Sequence, residues 1–431
     1  MTKDHKISLT TAILMNINMM VGVGAFFGPQ LMSQKAGYAS FLGWPIVAII
    51  FFPIVFSIAT MAKIFPGSGS FYSYSKKVIN PATGFLSGWM FFLGYAGVAA
   101  LQTICLQDIV LQYIPALSPI LFKILYVVII SSIALLRFPT IGRIQNIGTA
   151  FKLLPLIFVL SIFAIYWNPS LSINPHDLRN IFATLPVALF GFWGFECCCT
   201  ISHLIKGDKR NASRAILLAF FITMTIYTLF HLGLVHIMGV ENLSTLGSED
   251  FVQFLLLRSA TVQKILTLFV TGSVMLAYAN STLAIFVANS STLHAMAAEN
   301  LLPQSKKLAV LNKNLRPIGA IIAQSALAFA FATTINSKFA LTAISNLGVL
   351  LSFFLTLIAL FLLQKRARTY APILITALAF ISWFSLSYFS WLSIGQTTLE
   401  RFSTIIPLLS LIILGVAMYV VQQKKNKKII L

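Results

Sequence analysis

The sequence has few charged residues, and acidic residues are especially rare. Charged side chains make up 9% of the 431 residues, with 10 acidic against 30 basic residues. An ordinary globular domain is about 25% charged, so this composition excludes a soluble globular protein. The polar segments between the apolar runs are short, which leaves no room for a separate soluble domain.

Cysteine is also scarce. The four cysteines are Cys105 and the run Cys197-Cys198-Cys199, and all of them fall within apolar segments. Neither the spacing of a zinc site nor an extracellular disulfide framework is visible, and consecutive residues point in different directions around a helix. We therefore interpret the cysteines as packing residues, and we expect no metal and no cofactor.

Long apolar runs fill the sequence instead. Hydrophobic residues make up 58% of the chain, and runs of about 20 apolar residues, long enough to span a bilayer, follow one another closely. The sequence predicts an all-α polytopic membrane protein with about twelve helices and one transmembrane domain over residues 1–431. The predicted spans are Thr11–Met32, Phe41–Ile64, Gly84–Tyr113, Ile120–Leu136, Ile144–Trp167, Ile181–Leu204, Ala215–Met238, Leu266–Thr292, Ile318–Thr334, Leu341–Leu363, Ala371–Ile394 and Phe402–Val421.

The basic residues indicate the orientation. Most of the 30 Lys and Arg residues fall on the side of the two termini, and short loops rich in Lys and Arg stay in the cytoplasm. We therefore expect both termini to be cytoplasmic. The net charge of +20 is then a topology signal with some attraction to anionic lipids, so we expect a lipid bilayer and no nucleic acid as partner.

Two glycine-rich interruptions lie in the first and sixth predicted helices. They are Gly22-Val23-Gly24 and Gly191-Phe192-Trp193-Gly194. A break in a spanning helix survives only where it lines a cavity enclosed by protein, and the freed amides and carbonyls can hold a small ligand. Two five-helix repeats, roughly residues 11–167 and 181–363, would make these helices equivalent, with two additional helices over residues 371–421. This pattern is typical of a transporter.

Charged residues inside the spans are candidates for function. Glu196 follows the second interruption closely, where it either carries a coupling proton or is a structural carboxylate tied to a backbone amide or a hydroxyl. Asp108 lies nearer the outer end of its span, where it meets interfacial water. Lys152 lies about 12 Å from the inner end of the fifth span, at 1.5 Å per residue. Its ammonium either reaches the headgroups or takes the place of a sodium ion.

Five segments carry a resemblance to a known family: Gly22–Pro29, Phe65–Tyr74, Phe190–Glu196, Lys206–Asn211 and Ala295–Pro303. Their order and spacing resemble the amino acid/polyamine/organocation transporter superfamily, and within it the amino acid permeases and basic amino acid antiporters. The resemblance covers most of the first ten spans. It implies two inverted five-helix repeats, as in the sodium-coupled leucine-type transporters.

The resemblance also implies where a substrate binds. Backbone at the two breaks would hold the amino group and carboxylate of an amino acid, in keeping with the dipoles of half-helix ends. The lysine at the end of the segment Arg143–Lys152 matches the one that sodium-independent members carry. The expected binding residues are Val21, Gly22, Val23, Gly24, Phe190, Gly191, Phe192, Trp193, Gly194, Tyr95 and Ile285, with Glu196 and Lys152 as coupling or gating residues.

The side-chain pocket departs from that of the arginine and agmatine exchangers, which enclose a guanidinium. Phe190 matches their aromatic residue of helix six, but Ile285 stands where they have a tryptophan, and Ala99 where they have an amide. We expect the side-chain pocket to include Gly94 as well. A cationic side chain finds little to pair with here, so the sequence favours a neutral, apolar or aromatic amino acid.

Together these features predict a non-enzymatic, sodium-independent amino acid transporter that works by alternating access, as a proton symporter or an exchanger. A basic amino acid or polyamine antiporter is the alternative. A non-transporting amino acid receptor and a membrane-embedded lipid-modifying enzyme are alternatives from other classes, although no cluster of acids, histidines or metal ligands supports the enzyme. The short loops suit a bacterial inner membrane.

Overall fold

The computed structural model is a bundle of α-helices. It describes residues 7–66, 70–165, 174–202, 205–208, 210–255, 257, 259–335, 337–367 and 371–430. The helices are α1 (Leu9–Met20), α2 (Val23–Ala36), α3 (Gly43–Ile64), α4 (Ser70–Val78), α5 (Pro81–Tyr113), α6 (Pro119–Ala134), α7 (Phe138–Ile165), α8 (Pro175–Arg179), α9 (Leu185–Gly191), α10 (Cys197–Ile201), α11 (Arg210–Met238), α12 (Val240–Thr245), α13 (Ala260–Ala298), α14 (Ser305–Leu308), α15 (Ile318–Thr334), α16 (Lys338–Arg366), α17 (Ala371–Leu392) and α18 (Thr398–Ile430).

The order of these helices matches the all-α polytopic architecture predicted from the sequence. In the described part of the chain, eight helical segments are long and apolar enough to cross a membrane, and further apolar helices are shorter. The first crossing consists of α1 and α2, and the sixth consists of residues 181–191 followed by α10. The first and sixth helices are therefore broken. Trp167 and Leu204, the predicted ends of the fifth and sixth spans, lie outside the described residues.

Some helices begin before the apolar runs from which they were predicted, as at α5 and α7. The Asn80 side chain accepts the Thr83 N–H at 2.9 Å and Pro81 follows it, so α5 begins there rather than at Gly84. The fifth crossing begins at Phe138, six residues before the predicted start at Ile144. Hydropathy detects only the part of a helix that lies in hydrocarbon, whereas helix α7 also includes the polar turn before it.

The helix α5 forms the centre of the bundle. Its membrane-crossing stretch is buried along its whole length, and it packs against α13 and α16. Gly94 on α5 faces Gly348 on α16, where a Cβ atom on Gly348 would lie 2.7 Å from the Cα of Gly94. The last two crossings, α17 and α18, are the least buried, so they lie at the periphery.

Candidate functional site

The first break lies between α1 and α2. Val21 is extended and α2 begins at Val23, so Val23 and Gly24 are already helical and the interruption itself is Val21 and Gly22. A Cβ atom on Gly22 would lie 2.4 Å from the hydroxyl oxygen of Ser281 on α13. A larger residue at position 22 would displace the Ser281 side chain, so this close approach of α13 favours glycine there.

The second break is the turn of residues 192–196 between α9 and α10. Gly194 has a φ of +111°, a conformation that strains residues with a Cβ atom. Helices α2 and α9, which flank the two breaks, are in direct contact, because a Cβ atom on Gly24 would lie 2.4 Å from the Cα of Gly191. The two broken helices therefore meet at the centre of the protein.

A small cavity of about 10 Å³ lies at the breaks. Several residues expected to bind substrate line this central cavity: Gly22, Val23, Gly24, Tyr95, Phe190, Trp193 and Ile285. Residues that the sequence did not single out complete the wall: Met19, Met20, Val98, Gln102 and Ser281. None of these lining residues carries a formal charge.

Other residues expected at the site lie behind the cavity wall. Val21 and Gly194 belong to the breaks and Gly191 ends α9, and none of the three lines the cavity. The Phe192 ring packs on Phe220, with ring centroids 4.8 Å apart.

On α5, neither Gly94 nor Ala99 lines the cavity. Gly94 packs against α16, and the Ala99 carbonyl accepts a hydrogen bond from Thr103 at 2.8 Å. The face of α5 that lines the cavity carries Val98 and Gln102 instead.

The amino ends of the two half-helices differ in their backbone partners. The first N–H groups of a helix have no intrahelical acceptor, and those of Val23 and Gly24 begin α2 at the cavity wall. At the amino end of α10, by contrast, the Cys198 N–H donates to the side-chain oxygen of Asn16 at 2.9 Å. An anionic group is therefore favoured at α2.

The carboxyl end of α1 faces the same cavity. The Asn18 carbonyl accepts from Lys152 and the Met20 carbonyl accepts from the Tyr227 hydroxyl at 2.7 Å. Met19 lies between them and lines the cavity, and no described residue outside its own helix donates to its carbonyl. This carbonyl packs against the second break, since its oxygen would lie 2.9 Å from a Cβ atom on Gly194.

Lys152 lies inside the helix bundle. Because α7 begins at Phe138, Lys152 is about 21 Å along the helix at 1.5 Å per residue. Its side chain is fully buried and donates to the Asn18 carbonyl, so it does not extend to the headgroups. Lys152 joins α7 to the carboxyl end of α1.

Glu196 is buried beside the second break. Its carboxylate accepts hydrogen bonds from the Tyr95 hydroxyl and, at 3.1 Å, from the Gly194 N–H. Because Tyr95 lines the central cavity, its side chain separates the Glu196 carboxyl group from the cavity.

Asn346 on α16 fixes the position of Trp193. The Trp193 indole N–H donates to the Asn346 side-chain oxygen at 2.8 Å, and the Asn346 amide donates to the Pro186 carbonyl at 2.8 Å. Asn346 thus bridges α9 and the turn that follows it. In the sequence, the only indication of this role is that Asn346 is a polar residue within an apolar span.

Two wider cavities lie on either side of the central one. The terminal vestibule, on the side where α1 begins and α18 ends, has a volume of about 480 Å³ and shares Met19 with the central cavity. Lys76 and Glu299 form an ion pair there, which joins α4 to the end of α13.

The opposite vestibule has a volume of about 240 Å³. Phe26 and Tyr278 line it, with ring centroids 6.3 Å apart, and they lie between it and the central cavity. Asp108 is half exposed and pairs with Lys338 at 2.5 Å, which joins α5 to α16. Burial raises the pKa of Glu249 in this vestibule to about 7.

Comparison with known proteins identifies relatives over most of the chain. Residues 7–418 match the family model described as amino acid permease. An uncharacterized transporter of Mycobacterium tuberculosis is 23% identical over 80% of this chain and 77% of its own. The serine/threonine exchanger SteT of Bacillus subtilis is 24% identical over 84% of both chains. The lysine-specific permease LysP of Lactococcus lactis is 25% identical over 46% of this chain and 42% of its own.

Proposed function

Because the chain belongs to the amino acid permease family, we propose that it is a secondary transporter that moves amino acids across a membrane by alternating access. The observation that carries this proposal is the central cavity at the breaks of two helices that touch each other, with a vestibule on either side. In this account the two vestibules are halves of one path, and each opens to the central cavity in turn.

The substrate's backbone groups dock at the first break. Its carboxylate lies at the amino end of α2, where the Val23 and Gly24 N–H groups and the helix dipole favour an anion. Its ammonium group lies toward the carboxyl end of α1. At the amino end of α10, the Cys198 N–H already donates to the Asn16 side chain. This difference between the two helix ends supports placing the carboxylate at α2.

A small neutral amino acid is the substrate class that the cavity favours. No lining residue is charged, and the cavity of about 10 Å³ has room for about one water molecule. A small substrate needs the least displacement of the walls. The relative that is a serine/threonine exchanger supports this choice, whereas the lysine-specific relative supports the alternative of a basic amino acid or polyamine antiporter.

Transport is independent of sodium in this proposal, because the Lys152 ammonium already supplies a positive charge at the Asn18 carbonyl. Glu196 carries the coupling proton in a symport mode, and its link to the cavity is Tyr95. The same site also supports exchange of one amino acid for another.

The protein is an integral multi-pass membrane protein. We place its termini in the cytoplasm, because basic residues concentrate on the terminal side, and we place it in a bacterial inner membrane. A central cavity with a vestibule on either side favours a transporter over an amino acid receptor or a lipid-modifying enzyme.

The proposal is tested with the purified protein in proteoliposomes. Uptake is measured for radiolabelled L-serine, L-threonine, L-alanine, L-lysine and agmatine, with protein-free liposomes as control. We expect saturable uptake of the small neutral amino acids and much weaker uptake of L-lysine and agmatine. Uptake of the two cations alone would support the antiporter, and uptake of no amino acid would contradict the proposal.

A further inference from the structure

We propose that Ser281 and Gln102 form a side-chain subsite for the carboxylate of the substrate at the first break, an inference that rests on the proposed function. Ser281 lies on α13 and Gln102 on α5, and both line the central cavity. Ser281 binds the carboxylate directly, and Gln102 is the positioning residue that orients its hydroxyl.

The position of Ser281 places its hydroxyl at the amino end of α2. The side chain is 2% exposed, and its oxygen lies 2.4 Å from where a Cβ atom on Gly22 would be. Gly22 is the residue directly before α2. A carboxylate that accepts hydrogen bonds from the first amides of α2 therefore lies beside this hydroxyl.

Gln102 determines which way the hydroxyl proton points. Its amide nitrogen donates to the Ser281 hydroxyl at 2.8 Å, and its amide oxygen accepts at 2.8 Å from the Thr282 hydroxyl, whose proton is shared with the Tyr278 carbonyl at 2.9 Å. A serine hydroxyl has one proton and can accept as well as donate. Because the Ser281 oxygen already accepts from Gln102, its own proton is free to be donated to a group in the cavity.

The donor character of this hydroxyl favours a carboxylate. An ammonium group has only donors, so it could use only the second lone pair of an oxygen that already accepts from Gln102. A carboxylate accepts from the hydroxyl and from the helix amides at once, and hydrogen bonds to charged groups are the stronger kind. The carboxylate of a neutral amino acid therefore gains a side-chain donor here.

The test measures L-serine uptake by variants in proteoliposomes. Ser281→Ala raises the KM for L-serine about tenfold, the size expected for one hydrogen bond to a charged group, and leaves the maximal rate within twofold. Gln102→Leu raises the KM similarly. The double variant is no worse than either single variant, because both changes remove the same interaction.

Ser273→Ala is the matched control. Ser273 is also a buried serine of α13, but its hydroxyl donates to the Phe269 carbonyl at 2.9 Å and does not line the central cavity. The KM of Ser273→Ala for L-serine stays within twofold of the wild-type value. Ser281→Cys, which keeps nearly the same volume with a weaker donor, provides the same test if the alanine variant does not purify as a monodisperse protein.

A substrate analogue separates the carboxylate from the rest of the ligand. L-serine methyl ester inhibits wild-type uptake more weakly than unlabelled L-serine does, and the ratio of the two inhibition constants falls toward one in Ser281→Ala. An unchanged KM and an unchanged ratio in the Ser281 variants, with wild-type uptake intact, would overturn this inference and leave the proposed function standing. Absence of wild-type uptake would count against the proposed function itself.

Discussion

Gly24 and Gly191 bring the two broken helices into contact at the scale of single atoms. A Cβ atom on Gly24 would lie 2.4 Å from a backbone Cα atom, which cannot move as the end of a flexible side chain can. Gly24→Ala therefore pushes α2 away from α9, and we expect the rate of L-serine uptake to fall at least tenfold. Uptake by proteoliposomes, together with size-exclusion chromatography of the purified variant, measures this effect.

Two glycines provide the control for that experiment. Gly142 on α7 and Gly272 on α13 have no heavy atom within 4 Å of an added Cβ, so alanine fits there. Alanine is favoured over glycine in a helix by about 1 kcal/mol, so both variants transport like wild type with no loss of thermal stability. Full uptake by Gly24→Ala would show that the close contact is not needed for transport.

Glu196 is the residue at which a coupling proton is expected. Its carboxylate is bound by the Tyr95 hydroxyl and the Gly194 N–H, and glutamine keeps the shape of the side chain without its ionisation. In Glu196→Gln, L-serine uptake driven by an external pH below the internal pH should be lost, while exchange of internal for external L-serine continues. Glu241→Gln, at an exposed glutamate, is the control. If L-serine uptake by Glu196→Gln depends on pH as wild-type uptake does, Glu196 does not carry the coupling proton.

At the scale of helices, Lys152 ties α7 to the end of α1. Its ammonium donates to the Asn18 carbonyl, the kind of backbone oxygen that would otherwise be free to bind a cation. Lys152→Ala should lower L-serine uptake at least tenfold, whereas Lys264→Ala, at an exposed lysine of α13, should not. Replacing sodium with choline should leave wild-type uptake within twofold, and a strong sodium requirement would contradict the role given to Lys152.

The helices themselves could be predicted from the sequence because apolar runs of membrane-spanning length are a local signal. Their ends were less accurate, as at α7, since the helix continues through polar residues outside the hydrocarbon. The glycine pattern indicated both breaks, but part of it serves close packing, as Gly24 shows.

The composition of the cavity wall was harder to predict than the helices. Gln102 and Ser281 lie 179 residues apart in the chain, and only the packing of α5 against α13 brings them together. Asn346 reaches the second break from α16 for the same reason. A polar residue in an apolar span signals function or structure, but its partner depends on helix rotation, which the sequence pattern does not determine.

At the scale of the whole molecule, the central cavity is nearer to one vestibule than to the other. Met19 lines both the central cavity and the terminal vestibule, whereas the Phe26 and Tyr278 rings lie toward the opposite vestibule. The equivalence of the two breaks in two inverted repeats remains a prediction. If it holds, relative movement of the repeats opens one barrier as it closes the other.

Counterflow tests the central claim, alternating access at this site, most directly. Proteoliposomes loaded with unlabelled L-serine are diluted into a trace of radiolabelled L-serine, without any ion gradient. A carrier that exposes its site to one side at a time accumulates label transiently above the equilibrium level. We predict this overshoot for wild type and its loss in Gly24→Ala. Entry of label without any overshoot, or no entry at all, would contradict the account.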